Sequence, residues 1–232
     1  MSKAETTQIE PDTTSKTEQQ IDYKNELARK AIHLSSISIP IVYFHISREL
    51  ALLLLFPLFL GFFLVDFLRI YVKPISKWYY KTFSSMLRAH ELDDEKPRFN
   101  GATYVTFSAC LVVAFFPKMI AIAAFSILII SDSVAALIGR KFGRHKIAGK
   151  SFEGSFAFFV SAILIVLNTP KLDLMAGIIM SAVATIVELY PIKFLDITID
   201  DNLTVPIIGA IASYLYYMIF LQGDISLICE LH

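Results

Sequence analysis

Seven apolar stretches, each close to the length needed to cross a lipid bilayer, dominate the sequence. A transmembrane helix needs about 20 mostly apolar residues, with a range of about 17–25. The candidate spans are residues 31–47, 50–68, 100–117, 119–138, 153–169, 172–190 and 203–221. With 55% hydrophobic residues, the chain is also too apolar for an ordinary soluble domain. The sequence therefore predicts an all-α, polytopic membrane protein with about seven transmembrane helices.

Basic residues are distributed unevenly between the loops that these spans would define. Of the 21 Lys and Arg residues, 18 fall on the side that contains the N-terminus, and only Arg48, Lys118 and Lys171 fall on the other. Because cytoplasmic loops are enriched in Lys and Arg, we predict that the N-terminus is cytoplasmic and the C-terminus is not. Dropping a middle span would scramble this asymmetry, which supports the count of seven. Pro40 and Pro57 lie inside spans and are expected to kink them.

The segments outside the spans differ in character. Residues 1–22 are polar and are predicted to be a disordered tail. Residues 23–222 are predicted to form a single transmembrane domain, followed by a C-terminal tail at 223–232. No signal peptide is expected. Between spans two and three, apolar residues recur at helical spacing and predict an amphipathic helix in the cytoplasmic interface, with a soluble linker helix as the alternative. These residues are Ile75, Trp78, Tyr79, Phe83, Met86 and Leu87.

Asp132 interrupts the fourth span about one and a half to two turns from its predicted cytoplasmic end. A carboxylate at membrane depth is costly, usually faces the protein interior and marks a functional site. Ala135, Ala136 and Gly139 follow at helical spacing, and small residues allow another helix or a ligand to approach closely. We interpret Asp132 as a functional residue. A structural polar contact between helices is the alternative.

A basic, glycine-rich loop follows Asp132. The positive-inside rule alone would place cations there, but the glycines allow the backbone to approach a ligand. Ser151 is a plausible N-cap for span five, and a helix N-terminus attracts phosphate. This is not a Walker A loop, because GxxxxGK[ST] is absent. The predicted nucleotide-binding residues are Gly139, Arg140, Lys141, Gly143, Arg144, Lys146, Lys150, Ser151 and Gly154.

Acidic residues are expected on the same side of the membrane. Glu153 lies in the first turn of span five, and five further residues surround the junction of spans six and seven, namely Glu188, Asp196, Asp200, Asp201 and Asn202. A solvated acidic turn is the alternative for Asp196 and Asp200. Carboxylates beside a basic loop are typical of metal-assisted phosphoryl transfer.

Three carboxylates in a poorly solvated site would repel one another unless a cation compensated them. We therefore predict Mg²⁺ bound by Asp132, Glu153 and Asp201. The predicted catalytic residues are Asp132, Asp201 and Asn202. Asp201 would either bind metal or accept the proton of a hydroxyl group, and Asn202 would orient it.

The segments SDSVAALIGRKFGRHK, GKSFEGS and DDNLTVPI resemble the family of dolichol kinases, phytol kinases and CTP-dependent diacylglycerol kinases. This family is similar to the integral-membrane phosphatidate cytidylyltransferases. ARKAIHL at 28–34 and NGATYV at 100–105 also look like family segments, and the resemblance covers about residues 24–217. It implies a polytopic enzyme, with residues 23–222 as the catalytic domain, that phosphorylates a lipid alcohol, typically from CTP with Mg²⁺. The matching positions are Asp132, Gly139, Arg140, Gly143, Lys150, Ser151, Glu153, Gly154, Asp201 and Asn202.

Three functions are open at this point. The first is a kinase acting on diacylglycerol, phytol or a polyprenol; the chain is short beside eukaryotic dolichol kinases, which argues against dolichol. The second is a phosphatidate cytidylyltransferase that makes a CDP-lipid, and the DNLTVPI end favours the kinase over it. The third is an ion-coupled transporter with Asp132 and Glu188 as ion sites, but neither inverted repeats nor interrupted half-helices are evident.

The kinase hypothesis also predicts the partners and the lipid site. The hydroxyl group would meet the phosphate at the cytoplasmic interface, near His33, Asn100 and Gly101. The expected partners are a lipid alcohol, a nucleoside triphosphate such as CTP, and the bilayer. No nucleic-acid partner is expected, and the oligomeric state is left open.

Overall fold

The computed structural model describes residues 29–83, 99–194 and 197–221, which are mainly helical. A helical stretch at 29–35 precedes the helices that we number along the chain. They are α1 (Ser38–His45), α2 (Arg48–Tyr71), α3 (Lys73–Phe83), α4 (Gly101–Phe115), α5 (Lys118–Phe142), α6 (Phe152–Leu167), α7 (Leu174–Leu189) and α8 (Asp201–Phe220). Two short antiparallel hairpins join α5 to α6 and α7 to α8. The first pairs β1 (Lys146–Ile147) with β2 (Lys150–Ser151), and the second pairs β3 (Lys193–Phe194) with β4 (Ile197–Thr198).

Each of the seven candidate spans contains a helix, but the helices differ in length. Three of those described, α2, α5 and α8, are long and apolar enough to cross a membrane, whereas α4, α6 and α7 are shorter apolar helices of 15 or 16 residues. The first candidate span is interrupted by a turn at Ser36 and Ile37. Pro40 then falls in the first turn of α1, where its missing N–H group costs little. The helical membrane class is confirmed, and the count of seven spans stays a prediction.

Helix α5 forms the centre of the bundle, and α2 lies at its edge. In the most apolar stretch of α5, 67% of the residues are buried, compared with 17% in α2. Helix α5 packs against α1, α4, α6 and α8, while α7 packs between α6 and α8. Helix α2 contacts α4 and α3 and leaves a Leu- and Phe-rich surface exposed. An apolar exposed surface on a long helix is the arrangement expected of a helix that faces lipid.

The loops meet at two opposite ends of the bundle. At one end, Arg48 donates a hydrogen bond to the carbonyl oxygen of Phe116 over 2.8 Å, and Lys118 donates to that of Ile46 over 2.9 Å. Each cation therefore satisfies a carbonyl group just after the end of a neighbouring helix. The other end gathers residues 99–103, the hairpin at 143–151 and the described residues between α7 and α8. This alternation agrees with the predicted topology, while the end that faces the cytoplasm stays a prediction.

Some predictions fall wholly or partly outside the described residues. Helix α3 covers the first part of the predicted amphipathic helix, with Trp78 exposed and Tyr79 buried. Met86, Leu87 and Asp196 lie outside the described residues, as do the predicted tails at 1–22 and 223–232. The domain boundaries and the interfacial position of α3 therefore stay predictions.

Candidate active site

Lys150 joins three elements at one end of the bundle. The turn before it places Ala148 at φ 50° and Gly149 at φ 89°, a left-handed pair that suits a two-residue hairpin. From β2, the Lys150 ammonium group donates hydrogen bonds to Glu188 Oε1 over 2.8 Å and to Asp201 Oδ2 over 2.9 Å. It also contacts the backbone carbonyl of Glu188. Lys150 thereby links the hairpin to the end of α7 and the start of α8.

The charge of Lys150 is secured by its partners. Burial alone would lower the pKa of its amine, but the carboxylates of Asp201 and Glu188 outweigh that effect and hold the pKa above its usual value. Lys150 is therefore an ammonium ion at neutral pH. Its partner Glu188 has a side chain only 8% exposed and also accepts a hydrogen bond from Ser155 over 3.4 Å.

Asp132 forms a second ionic cluster on α5. Its carboxylate pairs with the nearly buried ammonium group of Lys30, and its Oδ2 atom lies 3.6 Å from Nε2 of His33. Asp132 directly follows a π-helical turn at Ile127–Ser131. Such turns are rare and occur frequently at functional sites. Asp132 was singled out in the sequence because an unpaired charge within an apolar helix is costly, and in the structure it is paired and partly buried.

The two clusters share one electrostatic environment. The charge of Asp132 acts on both Glu188 and Asp201. The ammonium groups of Lys30 and Lys150 thus face three carboxylates.

Buried polar atoms without a partner lie in the same region. Within the described part of the chain, Nε2 of His33, Oγ of Ser131 and Oδ1 of Asp201 have no hydrogen-bond partner. Most buried polar atoms in proteins are hydrogen-bonded, and leaving one unsatisfied costs about 1–3 kcal/mol. Two of these atoms belong to the ionic clusters, and the third belongs to the residue before Asp132. A polar ligand bound beside Lys150 would satisfy the Oδ1 atom of Asp201.

The glycines of the predicted nucleotide loop have a packing role. A Cβ atom on Gly154 would lie 2.7 Å from Ser151 Oγ and 2.9 Å from the carbonyl oxygen of Ala135. Similarly, a Cβ atom on Gly139 would lie 2.5 Å from Ser151 Oγ, and Gly143 is equally crowded. Ser151 caps α6 by accepting a hydrogen bond from the backbone N–H of Gly154 over 3.1 Å. These residues bring the end of α5 against the start of α6, and their contact with a nucleotide stays a prediction.

The five cations of the loop occupy two environments. Lys150 is partly buried among acids, whereas residues 140–149 are exposed. Lys141 lies 5.3 Å from the ring of Phe142, on the exposed end of α5. The exposed cations are Arg140, Lys141, Arg144 and Lys146. A direct phosphate contact is therefore more consistent with Lys150 than with the other four.

Glu153 is engaged with the first hairpin. Its Oε1 atom lies 2.9 Å from Nδ1 of His145, and the backbone N–H of His145 donates to the same carboxylate over 3.3 Å. Among the residues described, no three His, Cys, Asp or Glu side chains are grouped to hold a metal ion. The predicted set of Asp132, Glu153 and Asp201 is therefore not grouped, and Mg²⁺ binding stays a prediction. The unpartnered oxygen of Asp201, near the charge of Asp132, does fit an oxygen-preferring cation.

The predicted lipid-binding residues lie at the same end. Asn100 caps α4 by accepting a hydrogen bond from the N–H of Thr103 over 3.0 Å. A Cβ atom on Gly101 would lie 3.4 Å from Nδ2 of Asn202. His33 lies beside Asp132, as described above. Their contact with lipid stays a prediction.

Three charged residues of this end were missed as site candidates in the sequence, namely Lys30, Asp66 and Arg69. Asp66 is fully buried and accepts hydrogen bonds from the N–H of Asn100 over 2.7 Å and from the hydroxyl of Thr103 over 2.6 Å. The signal was available, because Asp66 is a carboxylate within an apolar span, as Asp132 is. Arg69 follows it three positions later, on the same face of a helix.

Comparison with known proteins relates the chain to one uncharacterized relative and to two kinases. Uncharacterized protein RP860 of Rickettsia prowazekii is 35% identical over 195 residues, which cover 80% of this chain and 92% of the relative. The chain belongs to the same family as this rickettsial protein. No family model and no solved structure matches it.

Two less similar relatives are enzymes named CTP-dependent diacylglycerol kinase 1. The Schizosaccharomyces pombe protein is 26% identical over 220 residues, covering 83% of this chain and 94% of the relative. The Saccharomyces cerevisiae protein is 29% identical over 147 residues, covering 61% of this chain and 49% of the relative. These matches support the diacylglycerol-kinase part of the predicted resemblance. The dolichol-kinase and phytol-kinase parts stay predictions.

Proposed function

We propose that this protein is an integral-membrane kinase that transfers the γ-phosphate of CTP to the hydroxyl group of diacylglycerol, forming phosphatidate and CDP. Support comes from the names of the two yeast relatives and from the long apolar helices. The observation that carries the proposal is a pair of ionic clusters, around Lys150 and Asp132, with an Asp201 oxygen that has no hydrogen-bond partner among the described residues.

In the proposed reaction, the ammonium groups of Lys150 and Lys30 bind and neutralise the phosphates of CTP. Lys150 would exchange one of its carboxylate partners for a phosphate oxygen, and Lys30 would act from the side of Asp132. The hydroxyl oxygen of diacylglycerol forms a bond to the γ-phosphorus, and the bond from that phosphorus to the β–γ bridging oxygen breaks. CDP leaves with that oxygen. Phosphoryl transfer depends chiefly on positioning and on charge stabilisation of this kind.

The hydroxyl proton needs an acceptor, and the unpartnered oxygen of Asp201 is the proposed one. Asn202, the next residue, is 93% buried and would orient the hydroxyl group through its side-chain amide. Asp132 is the proposed ligand of Mg²⁺ in this scheme, and the metal when bound would supply further neutralisation of the phosphates. The exposed cations of residues 140–146 would raise the local concentration of the nucleotide through their field.

A labelling experiment tests the proposal. Purified protein in lipid micelles with Mg²⁺ receives CTP or ATP labelled at the γ-phosphate or the α-phosphate, together with diacylglycerol, phytol, geranylgeraniol or a dolichol. We expect label in phosphatidate from γ-labelled CTP. Label in the lipid from α-labelled CTP and phosphatidate would instead identify a cytidylyltransferase. Absence of label in every lipid, with protein that remains folded, would reject the kinase.

A further inference from the structure

Helix α2 buries a charged pair while it exposes most of its apolar residues. Its buried residues are Ala51, Leu55, Asp66 and Arg69. The side chains of Asp66 and Arg69 are 0% and 1% exposed, and their closest charged atoms are 3.3 Å apart. Replacing a buried ion pair by apolar residues of similar size is often neutral or stabilising. Stability is therefore a poor explanation for this pair, and its contacts indicate another role.

Among the described residues outside α2, those that donate hydrogen bonds to Asp66 lie at the start of α4. Oδ2 accepts from the backbone N–H of Asn100 and from the hydroxyl of Thr103, and Oδ1 accepts from the side-chain amide of Asn100 over 3.1 Å. Asn100 is at the same time the N-cap of α4. A carboxylate with three short contacts to one helix start holds that start in a single position.

Helix α3 completes the arrangement. The Tyr79 hydroxyl accepts a hydrogen bond from the Asn100 amide over 2.8 Å, and the guanidinium group of Arg69 lies 4.9 Å from the centre of the Tyr79 ring. At the corner between α2 and α3, Tyr71 and Trp78 are both exposed. Exposed aromatic residues beside a long apolar helix are typical of the level of the lipid headgroups. The hydroxyl group of a diacylglycerol lies at that level.

The fixed end of α4 adjoins the proposed catalytic residues. Gly101 follows Asn100, and a methyl group added to it would lie 3.4 Å from the side-chain amide of Asn202, in van der Waals contact. On the other side, Lys150 holds Asp201 through Oδ2. Lys150 thus contacts Asp201, whereas the start of α4 lies beside Asn202.

We infer that Asp66 is a positioning residue for the lipid acceptor: it fixes the start of α4, which through Gly101 sets the side chain of Asn202 against which the diacylglycerol hydroxyl is aligned. The inference rests on the proposed kinase function for its substrate. It requires that substitution of Asp66 raises the KM for diacylglycerol and leaves the KM for CTP nearly unchanged.

Steady-state kinetics of three variants test this requirement. Asp66→Asn keeps the shape of the side chain but removes the charge and turns one acceptor into a donor. We expect it to raise the KM for diacylglycerol about tenfold while the KM for CTP changes less than about twofold. Gly101→Ala leaves the ion pair intact and should also raise the KM for diacylglycerol. Gly61→Ala, on α2 with nothing within 4 Å of the new methyl group, is the matched control and should change neither constant.

Hydrogen–deuterium exchange provides a readout that does not depend on activity. In Asp66→Asn, we expect faster exchange of backbone amides in residues 99–104 and also in 200–204, with α7 unchanged. Faster exchange in 99–104 alone would overturn the inference, because α4 and Asn202 would then be uncoupled. A fall in kcat with both KM values unchanged would overturn it as well. If the wild-type protein phosphorylates no lipid alcohol, the proposed function fails, and the exchange pattern alone decides whether Asp66 positions Asn202.

Discussion

Asp132 is a charged residue within an apolar helix, and its ion-pair partner, Lys30, lies near the start of the described residues. Asp132→Asn keeps the shape of the side chain and removes its charge. Because phosphoryl transfer relies on charge stabilisation, we expect kcat to fall about a hundredfold or more, with residual activity that requires more Mg²⁺. The measurement is turnover of labelled CTP over a range of Mg²⁺ concentrations.

The matched control for this variant is Asp173→Asn at the opposite end of the bundle. Asp173 caps α7, and Asn is an equally good N-cap, so activity should be retained. Since Lys30 would lose its partner in Asp132→Asn, the double variant Lys30→Met with Asp132→Asn provides a folded reference. Wild-type turnover and unchanged Mg²⁺ dependence in Asp132→Asn would show that this carboxylate serves only as a contact between helices.

Lys150 has a structural and a proposed catalytic role that one substitution cannot separate. Lys150→Met leaves Glu188 buried without its cation, and removing one partner of a buried pair is strongly destabilising. We expect a lower midpoint of thermal unfolding and a KM for CTP raised about tenfold, with a smaller change in the KM for diacylglycerol.

Adding Glu188→Gln to Lys150→Met should separate the two roles. The Gln side chain removes the unpaired charge of Glu188 and leaves that of Asp201, so the unfolding midpoint should recover in part while the KM for CTP stays high. Recovery of both properties would show that Lys150 serves only to neutralise Glu188.

At the scale of the element, α5 and α6 pack closely because Gly139, Gly143 and Gly154 have no side chains. Gly154→Ala would place a methyl group against Ser151 Oγ and the carbonyl oxygen of Ala135, so the two helices must separate. Overpacking of this kind costs about 1–3 kcal/mol. The expected result is a lower midpoint of unfolding in detergent, measured beside Gly61→Ala. That control has free space and gains helix propensity, so its midpoint should not fall.

The sequence predicted the elements better than their partners. Apolar length identified the helices, and the cost of a buried charge identified Asp132. Glu153 was chosen as a metal ligand because it lies in the first turn of span five, beside the basic loop, but its carboxylate pairs with His145. Lys150 instead contacts Glu188, 38 positions away. Spacing along a chain does not determine which helix ends meet, so the contact of Lys150 with Glu188 and those of Asp66 with the start of α4 needed the three-dimensional structure.

At the scale of the whole molecule, the uneven charge distribution predicts which end faces the cytoplasm. The test uses His145→Cys and Lys171→Cys, both at exposed positions, in a background where Cys110 and Cys229 are replaced. A membrane-impermeant maleimide should label position 171 in intact cells and position 145 only in inverted vesicles. Labelling of both positions from the same side would reject the topology of alternating spans.

The i, i+3 pair within α2 also bears on how this protein enters the bilayer. Asp66 and Arg69 belong to the same helix, so their contact forms as soon as α2 is helical and before α4 exists as a partner. A lone charge in an apolar helix raises the free energy of inserting that helix, by less near the helix end, where Asp66 and Arg69 lie, than at the bilayer centre. Helix α2 carries its own counter-ion and lowers this barrier while the chain is still being synthesised. The Asp66 oxygens are then available to capture Asn100 and Thr103 when the next span arrives, so biogenesis and assembly use the same residues in succession.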